Sequence, residues 1–259
     1  MITFTDLGLF SYLGNELFQY AALLGVAERQ GYEVRLPPSS QHSLATLIEL
    51  DTPTYTTTEL RRLRYRFGQC YPAFGYEASL ETIPDWCDVF GYFQSRRHFP
   101  SIEKLRHAFR IRADVQARVE ETWSSLDTDR PVVGFHVRRG DSAGSTHWIT
   151  LADVGYYPRA MDQFSDLDPL FLVVSDDPEW CEANLRAPNV VVAQRDTPAM
   201  HLALLARCDH LILANSTFSW WAAWFQEPRG GRVVGPREWY HPGTFDNAEQ
   251  DRPATWIEL

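Results

Sequence analysis

Residues 135–141 read FHVRRGD, so two arginines and an aspartate follow directly on the apolar run Val132, Val133 and Phe135. Such a run reads as a buried strand, and it delivers Arg138 and Arg139 as charge to one point at the strand's end. A second polar group, Asn215, Ser216, Thr217 and Ser219, opens a stretch whose period predicts a helix near Phe218–Phe225. Guanidinium forks together with hydroxyls and free N–H groups at a helix N-terminus are the chemistry of a phosphate grip. For Arg139 the alternative is bracing, an ion pair with Asp141 inside its own loop. A third group lies in SDDPEW, where Ser175 precedes two carboxylates and a predicted helix. Asp177 suits a cap with Pro178 at the first helical position, and capping is the plain reading for one aspartate of the pair. The other is placed to accept hydrogen bonds from a nucleobase edge, as carboxylates do with guanine.

These groups need a scaffold, and the second half of the chain supplies one. Strands are predicted at Val132–Val137, Leu170–Val174, Val190–Ala193, Leu211–Leu213 and Val233–Gly235, with helices near Tyr157–Phe164, Glu179–Leu185, Ala199–Arg207 and Phe218–Phe225. Alternation of this kind gives an α/β unit with a parallel sheet covered on both faces. Ligands of such sheets bind beyond the carboxyl ends of the strands, where all three polar groups fall. Earlier in the chain, a strand at Ile2–Phe4 leads to a helix in LGNELFQYAALLGVAERQG, with Asn15 expected as N-cap and Gly31 as stop. YEVRLPP reads as a second strand, residues 37–100 as loops and short helices, and SIEKLRHAFRIRADVQARVEETWSSL as one helix. DTDRP then reads as a linker. The expected domains are 1–125 and 126–259.

Composition removes several classes of function. A net charge of −10 leaves no broad basic face for nucleic acid. No run approaches the roughly 20 apolar residues that span a bilayer, and MITFTDLGLF has no signal-type core, so the chain is expected in the cytoplasm. The four cysteines form no C-x-x-C and suit neither zinc nor redox chemistry. The phosphate-binding G-x-x-x-x-G-K-[ST], the dinucleotide G-x-G-x-x-G, and the H-E-x-x-H and G-x-S-x-G motifs are all missing from the sequence. Asp127–Asp129 looks like the metal-binding pair of many sugar transferases, but it precedes a strand and reads as linker.

LGNELFQYAAL (13–23), HVRRGD (136–141), VVSDDPEWC (173–181) and ANSTFSWWAAWF (214–225) together, in this order, strongly resemble the glycosyltransferase family 11 fucosyltransferases. These are typically α-1,2-specific and use GDP-L-fucose. The resemblance implies a GT-B fold, two Rossmann-like domains facing a cleft, with acceptor side N-terminal and donor side C-terminal. It also implies inverting transfer with no cofactor and no required metal. On this resemblance Arg138 holds the β-phosphate with Arg139 in support, and His136 lies near the nucleotide. Ser175, Asp176 and Asp177 form the base-reading segment. Asn215, Ser216, Thr217, Phe218 and Ser219 form the diphosphate loop. Gly14 and Asn15 serve the acceptor side, Asn15 facing the reaction centre. Asp141 and His147 are the candidates for general base. Trp220 and Trp221 are read as packing.

The sequence departs from the family where the usual G-G-L-G-N-Q-M-F appears as SYLGNELF, which bears on acceptor choice. It departs again after Asp141, where the usual aromatic is missing, which bears on the base. The expected partners are a GDP-sugar and a glycan acceptor, probed against two alternatives: a transferase of another GDP-hexose, and a non-catalytic nucleotide-sugar or glycan binder. Peripheral association at the inner membrane face through other assembly enzymes is compatible with this reading.

Overall fold

The computed structural model describes residues 1–69, 74–126, 129–140, 145–245 and 252–259. These form two compact units, Met1–Arg112 and every described residue from Ala113 on.

The N-terminal unit runs β1 (Ile2–Thr3), α1 (Leu13–Gln30), β2 (Val34–Arg35), α2 (Leu44–Leu47), α3 (Thr57–Leu60), β3 (Tyr65–Gly68), β4 (Cys87–Phe90) and α4 (Ile102–Ala108). Its sheet has the order β2-β1-β4-β3, all parallel. Helix α1 follows the expected period, with Leu17, Tyr20, Ala21 and Leu24 buried, and ends at Gly31. It begins earlier than expected. Tyr12 is the N-cap, its carbonyl taking the Asn15 and Glu16 N–H groups at 2.9 and 3.1 Å. Asn15 is therefore not the cap; it lies inside the first turn, where its Oδ1 accepts from Gln94 Nε2 at 3.2 Å.

Residues 101–126 are two helices rather than one. Between α4 and α5 (Ala113–Ser124) the backbone turns to other partners: Glu49 N–H donates to Arg110 O, Arg112 N–H donates to Leu47 O, and Ile111 bridges to Ile48. Main-chain groups bonded this way cannot continue a helical ladder. The unit boundary accordingly falls at Arg112/Ala113, not at 125/126.

The C-terminal unit continues from α5 with β5 (Val132–Val137), α6 (Tyr156–Asp162), β6 (Leu170–Ser175), α7 (Pro178–Asn184), β7 (Val190–Val192), α8 (Pro198–Arg207), β8 (His210–Ile212), α9 (Thr217–Gln226), β9 (Val233–Gly235) and β10 (Ile257–Glu258). Helix α5 belongs here because it packs on α8, with Arg207 paired to Glu120 at 2.8 Å and lying over the Trp123 ring at 4.1 Å. The six strands are parallel in the order β10-β9-β8-β5-β6-β7. Every residue of β5 and β6 is buried, as a strand covered on both faces requires. The chain lays β5, β6 and β7 outward, then returns β8 to the other side of β5. Right-handed crossovers from such a point leave on opposite faces and open a crevice at the carboxyl ends of β5 and β8. Among the described residues no helix is long and apolar enough to cross a membrane.

Candidate functional site

The register of the sheet assembles the charge at that crevice. Val137 pairs with Ser175, so the next residues along, Arg138 and Arg139, come beside Asp176 and Asp177. Arg138 Nη1 donates to Asp176 Oδ2 at 2.6 Å. The same carboxylate accepts the Arg139 N–H at 2.9 Å on Oδ1 and the Gly140 N–H at 3.0 Å on Oδ2. Asp176 thus clamps the turn that carries both arginines. A Cβ on Gly140 would stand 2.7 Å from Asp176 Oδ2, so any larger residue there must displace that carboxylate.

Asp177 has the capping role foreseen for it. Its Oδ1 accepts the Trp180 N–H at 3.1 Å and caps α7, with Pro178 following. Its Oδ2 accepts from Arg139 Nε at 3.1 Å, while the Arg139 guanidinium lies 4.2 Å from the Trp180 ring centroid. Arg139 is therefore braced from the β6 side, and Arg138 is ion-paired as well. Two arginines and two aspartates form a formally neutral cluster, with the side chain of Arg138 about a quarter exposed at 28%. Ser175 is buried, and its Oγ accepts the Asp177 N–H at 2.9 Å. Asp141 lies outside the described residues.

On the other side of β5, the loop after β8 sorts its residues sharply. Ser216 caps α9, its Oγ accepting the Phe218 N–H, and Thr217 is the first helical residue. Ser219 is fully buried, so it does not present itself to a ligand. Its Oγ accepts the Ala214 N–H at 3.1 Å and is hydrogen-bonded to His136 Nδ1. The hydroxyl can either donate to Nδ1 or accept a second N–H from it, so this bond forms with either imidazole tautomer. Burial pushes the His136 pKa down to about 3, with Arg138 adding to the effect and Asp176 opposing it, so the ring is neutral. Phe218 packs its ring on His136 at 5.1 Å.

Asn215, expected among the donor contacts, is instead buried structure. Its Nδ2 donates to Ile149 O at 2.9 Å and Trp239 O at 3.0 Å, tying two further loops to the rim. His147 is exposed on one of those loops, its ring 5.7 Å from Phe245 and its carbonyl accepting the His241 N–H at 2.9 Å. Trp220 and Trp221 are buried as packing residues. Gly14 and Asn15 belong to the N-terminal unit. The structure thus brings His136, Arg138, Arg139, Asp176, Asp177, Ser216 and Phe218 to one rim, and withdraws Asn215 and Ser219 into its support.

Two contributors escaped the sequence reading. Gly140 stands in the quoted motif, and its signal was a glycine between charges. Trp180 lies three residues after Asp177, one turn into α7, where an aromatic can underlie an arginine. Among the described residues no three or more His, Cys, Asp or Glu side chains gather in a group that could hold a metal ion.

Comparison with known proteins fits this geometry. The profile of Glycosyl transferase family 11 matches residues 2–258. Galactoside 2-alpha-L-fucosyltransferase SEC1 of Bos taurus is 30% identical over 249 residues, 90% of this chain and 66% of that protein. Galactoside alpha-(1,2)-fucosyltransferase 1 of Homo sapiens is 29% identical over 238 residues, 85% of this chain and 64% of that protein. The chain thus spans just under two thirds of these relatives' length. Among solved structures, the fucosyltransferase NodZ from Bradyrhizobium gives a TM-score of 0.55 at 15% identity, covering 85% of this chain and 91% of that one. POFUT1 in complex with GDP-fucose gives 0.54 at 13% identity, covering 87% and 94%. At these identities the likeness carries the fold alone, and the expected α/β, GT-B class holds.

Proposed function

The chain belongs to Glycosyl transferase family 11, and from that membership we propose that it moves L-fucose from GDP-L-fucose to a galactoside hydroxyl, O2 of the sugar, with inversion and without a metal. The observation that carries this reading is the position of Arg138, at the carboxyl end of β5 and at the sheet's switch point with β8. A diphosphate laid there meets a guanidinium fork on one side and the N-terminus of a ten-residue helix on the other. The reacting bond is fucose C1 to phosphate oxygen. As it breaks, negative charge grows on GDP, and Arg138 with Arg139 stabilises that charge more in the transition state than in the ground state.

Asp176 keeps the two backbone N–H groups of the turn, so Arg138 can swing a donor to phosphate without the turn collapsing. Ser216 and the first amides of α9 supply further donors, beside the neutral ring of His136. The acceptor O2 attacks C1 from the face opposite the leaving GDP, and its proton passes to a base in the loop after β5, with Asp141 and His147 in candidate roles. The proposed setting is the cytoplasm at the inner face of a membrane, beside other glycan-assembly enzymes.

The test is a transfer reaction with GDP-L-fucose and lactose in EDTA, followed by NMR of the product. Release of GDP with a new α-linked fucose on galactose O2 is expected. Equal transfer from GDP-mannose would move the assignment to another hexose, and donor binding without turnover would leave a non-catalytic binder.

A further inference from the structure

The N-terminal unit carries a feature to which the donor side gives no role. Leu9, Phe10 and Tyr12 are 54%, 81% and 76% exposed on one short loop between β1 and α1. Three neighbouring apolar side chains held in water are unusual on a protein surface and mark a binding face.

The backbone beneath them is firmly built. Gln41 Nε2 donates to Thr5 O at 2.7 Å and Leu7 O at 2.9 Å, and the Leu9 N–H donates to Asp6 O at 3.0 Å. Gly8 has φ +84, and a Cβ there would lie 2.2 Å from Gln41 O. At the far end Ser11 Oγ donates to Gln19 Oε1 at 3.2 Å, and Gln19 Nε2 donates to Gly91 O at 2.8 Å. Tyr12 then caps α1. Rings on so fixed a loop lose little backbone freedom when something covers them.

The loop's place in the sheet says what kind of ligand would come. It follows β1, which lies between β2 and β4 in the parallel sheet, so the loop stands at the carboxyl end of a central strand, where ligands of such sheets bind. The segment after β4 contributes Gln94, which bonds to Asn15 one turn from Tyr12. Gln94 is buried, and its Oε1 has no hydrogen-bond partner among the described residues. Aromatic rings beside a pair of planar amides suit a ligand with an apolar face and a rim of hydroxyls, which is a sugar. A galactopyranoside fits well, because its axial O4 leaves H3, H4 and H5 together on one C–H face. A lipid surface suits the place less, because the chain carries −10 overall.

We infer that residues 9–12 are the acceptor platform, on which the C–H face of a galactoside stacks against Phe10 and Tyr12 while the Asn15–Gln94 amides take its hydroxyls. The inference rests on the transfer reaction proposed above and names the residues that select its acceptor.

The experiment is saturation-transfer NMR with methyl β-D-galactopyranoside on the full chain, wild type and Phe10→Ala and Tyr12→Ala, with thermal melts to verify folding. In the wild type, H3, H4 and H5 should receive the most saturation. Each alanine variant should weaken binding about tenfold or more, the loss of one covered ring face. Phe10→Tyr and Tyr12→Phe should bind as the wild type does, and the GDP affinity of all variants should be unchanged. Unaltered galactoside binding in the alanine variants, or no binding in the wild type, would overturn the platform. So would vesicle binding or self-association that Phe10→Ala abolishes while the sugar signal stays. A wild type that fails to bind GDP would sink the proposed function, whereas the galactoside signal decides the platform on its own.

Discussion

Replacing Gly140 by alanine tests the clamp that holds the strand-end arginines. The new Cβ would sit 2.7 Å from Asp176 Oδ2, well inside ordinary contact, and the backbone on which it stands is itself bonded to that oxygen. The carboxylate must turn away, giving up the Gly140 N–H at 3.0 Å and Arg138 Nη1 at 2.6 Å while Oδ1 keeps the Arg139 N–H. A hydrogen bond to a charged group contributes about 1.5–3 kcal/mol, and with these side chains 25–28% exposed the solvent brings each nearer to about 1 kcal/mol. The expected loss is therefore roughly 1–3 kcal/mol of unfolding free energy, read by urea denaturation. A double-mutant cycle isolates the cause. In an Asp176→Ala background the same glycine change should cost almost nothing, giving a coupling of about 1–2 kcal/mol. An undiminished cost in that background would show that the strain lies elsewhere and would refute the clamp.

Ser219→Ala should lower stability by about 1–3 kcal/mol in the same assay, because it leaves the buried Ala214 N–H and His136 Nδ1 without their partner; a neutral result would contradict the supporting role given to this hydroxyl. Glu16 is buried on α1 with its Oε2 accepting the Ser43 N–H at 2.7 Å, and burial raises its pKa from the ordinary 4.5 to about 7. The folded state thus binds the extra proton between those values, so this contribution is complete below pH 4.5, falls away as pH rises, and is gone above pH 7. Glu16→Gln should abolish that pH dependence, on the order of 3 kcal/mol between pH 4.5 and 8; identical pH profiles in variant and wild type would count against it. Asn215→Ala should loosen the loops at Ile149 and Trp239, lowering stability by about 1–3 kcal/mol, with denaturation midpoints as the readout.

The C-terminal unit was legible because its strands are continuous apolar runs. Val132–Val137 and Val233–Gly235 have the predicted bounds, and the polar groups that follow β5, β6 and β8 do meet on neighbouring strands. What no pattern revealed was the partner of each side chain. The register that sets Arg138 against Asp176 is a property of two strands together, and Ser219 differs from Ser216 only by one turn of helix facing inward. In the N-terminal unit, β3 is partly exposed and β4 is four residues long, so neither gives a clear period. The break after Ala108 was hidden for a related reason, since residues 109–112 keep a helical composition and are claimed by backbone groups of residues 47–49.

The most direct test of the account is calorimetric titration of GDP into the wild type and Arg138→Ala, both in EDTA. Binding by the wild type without metal is expected, with a loss of at least tenfold in the variant, the share of one charge-assisted contact of about 1.4 kcal/mol or more. Equal GDP affinity in the two proteins would mean that the charge at the end of β5 does not hold the donor's diphosphate.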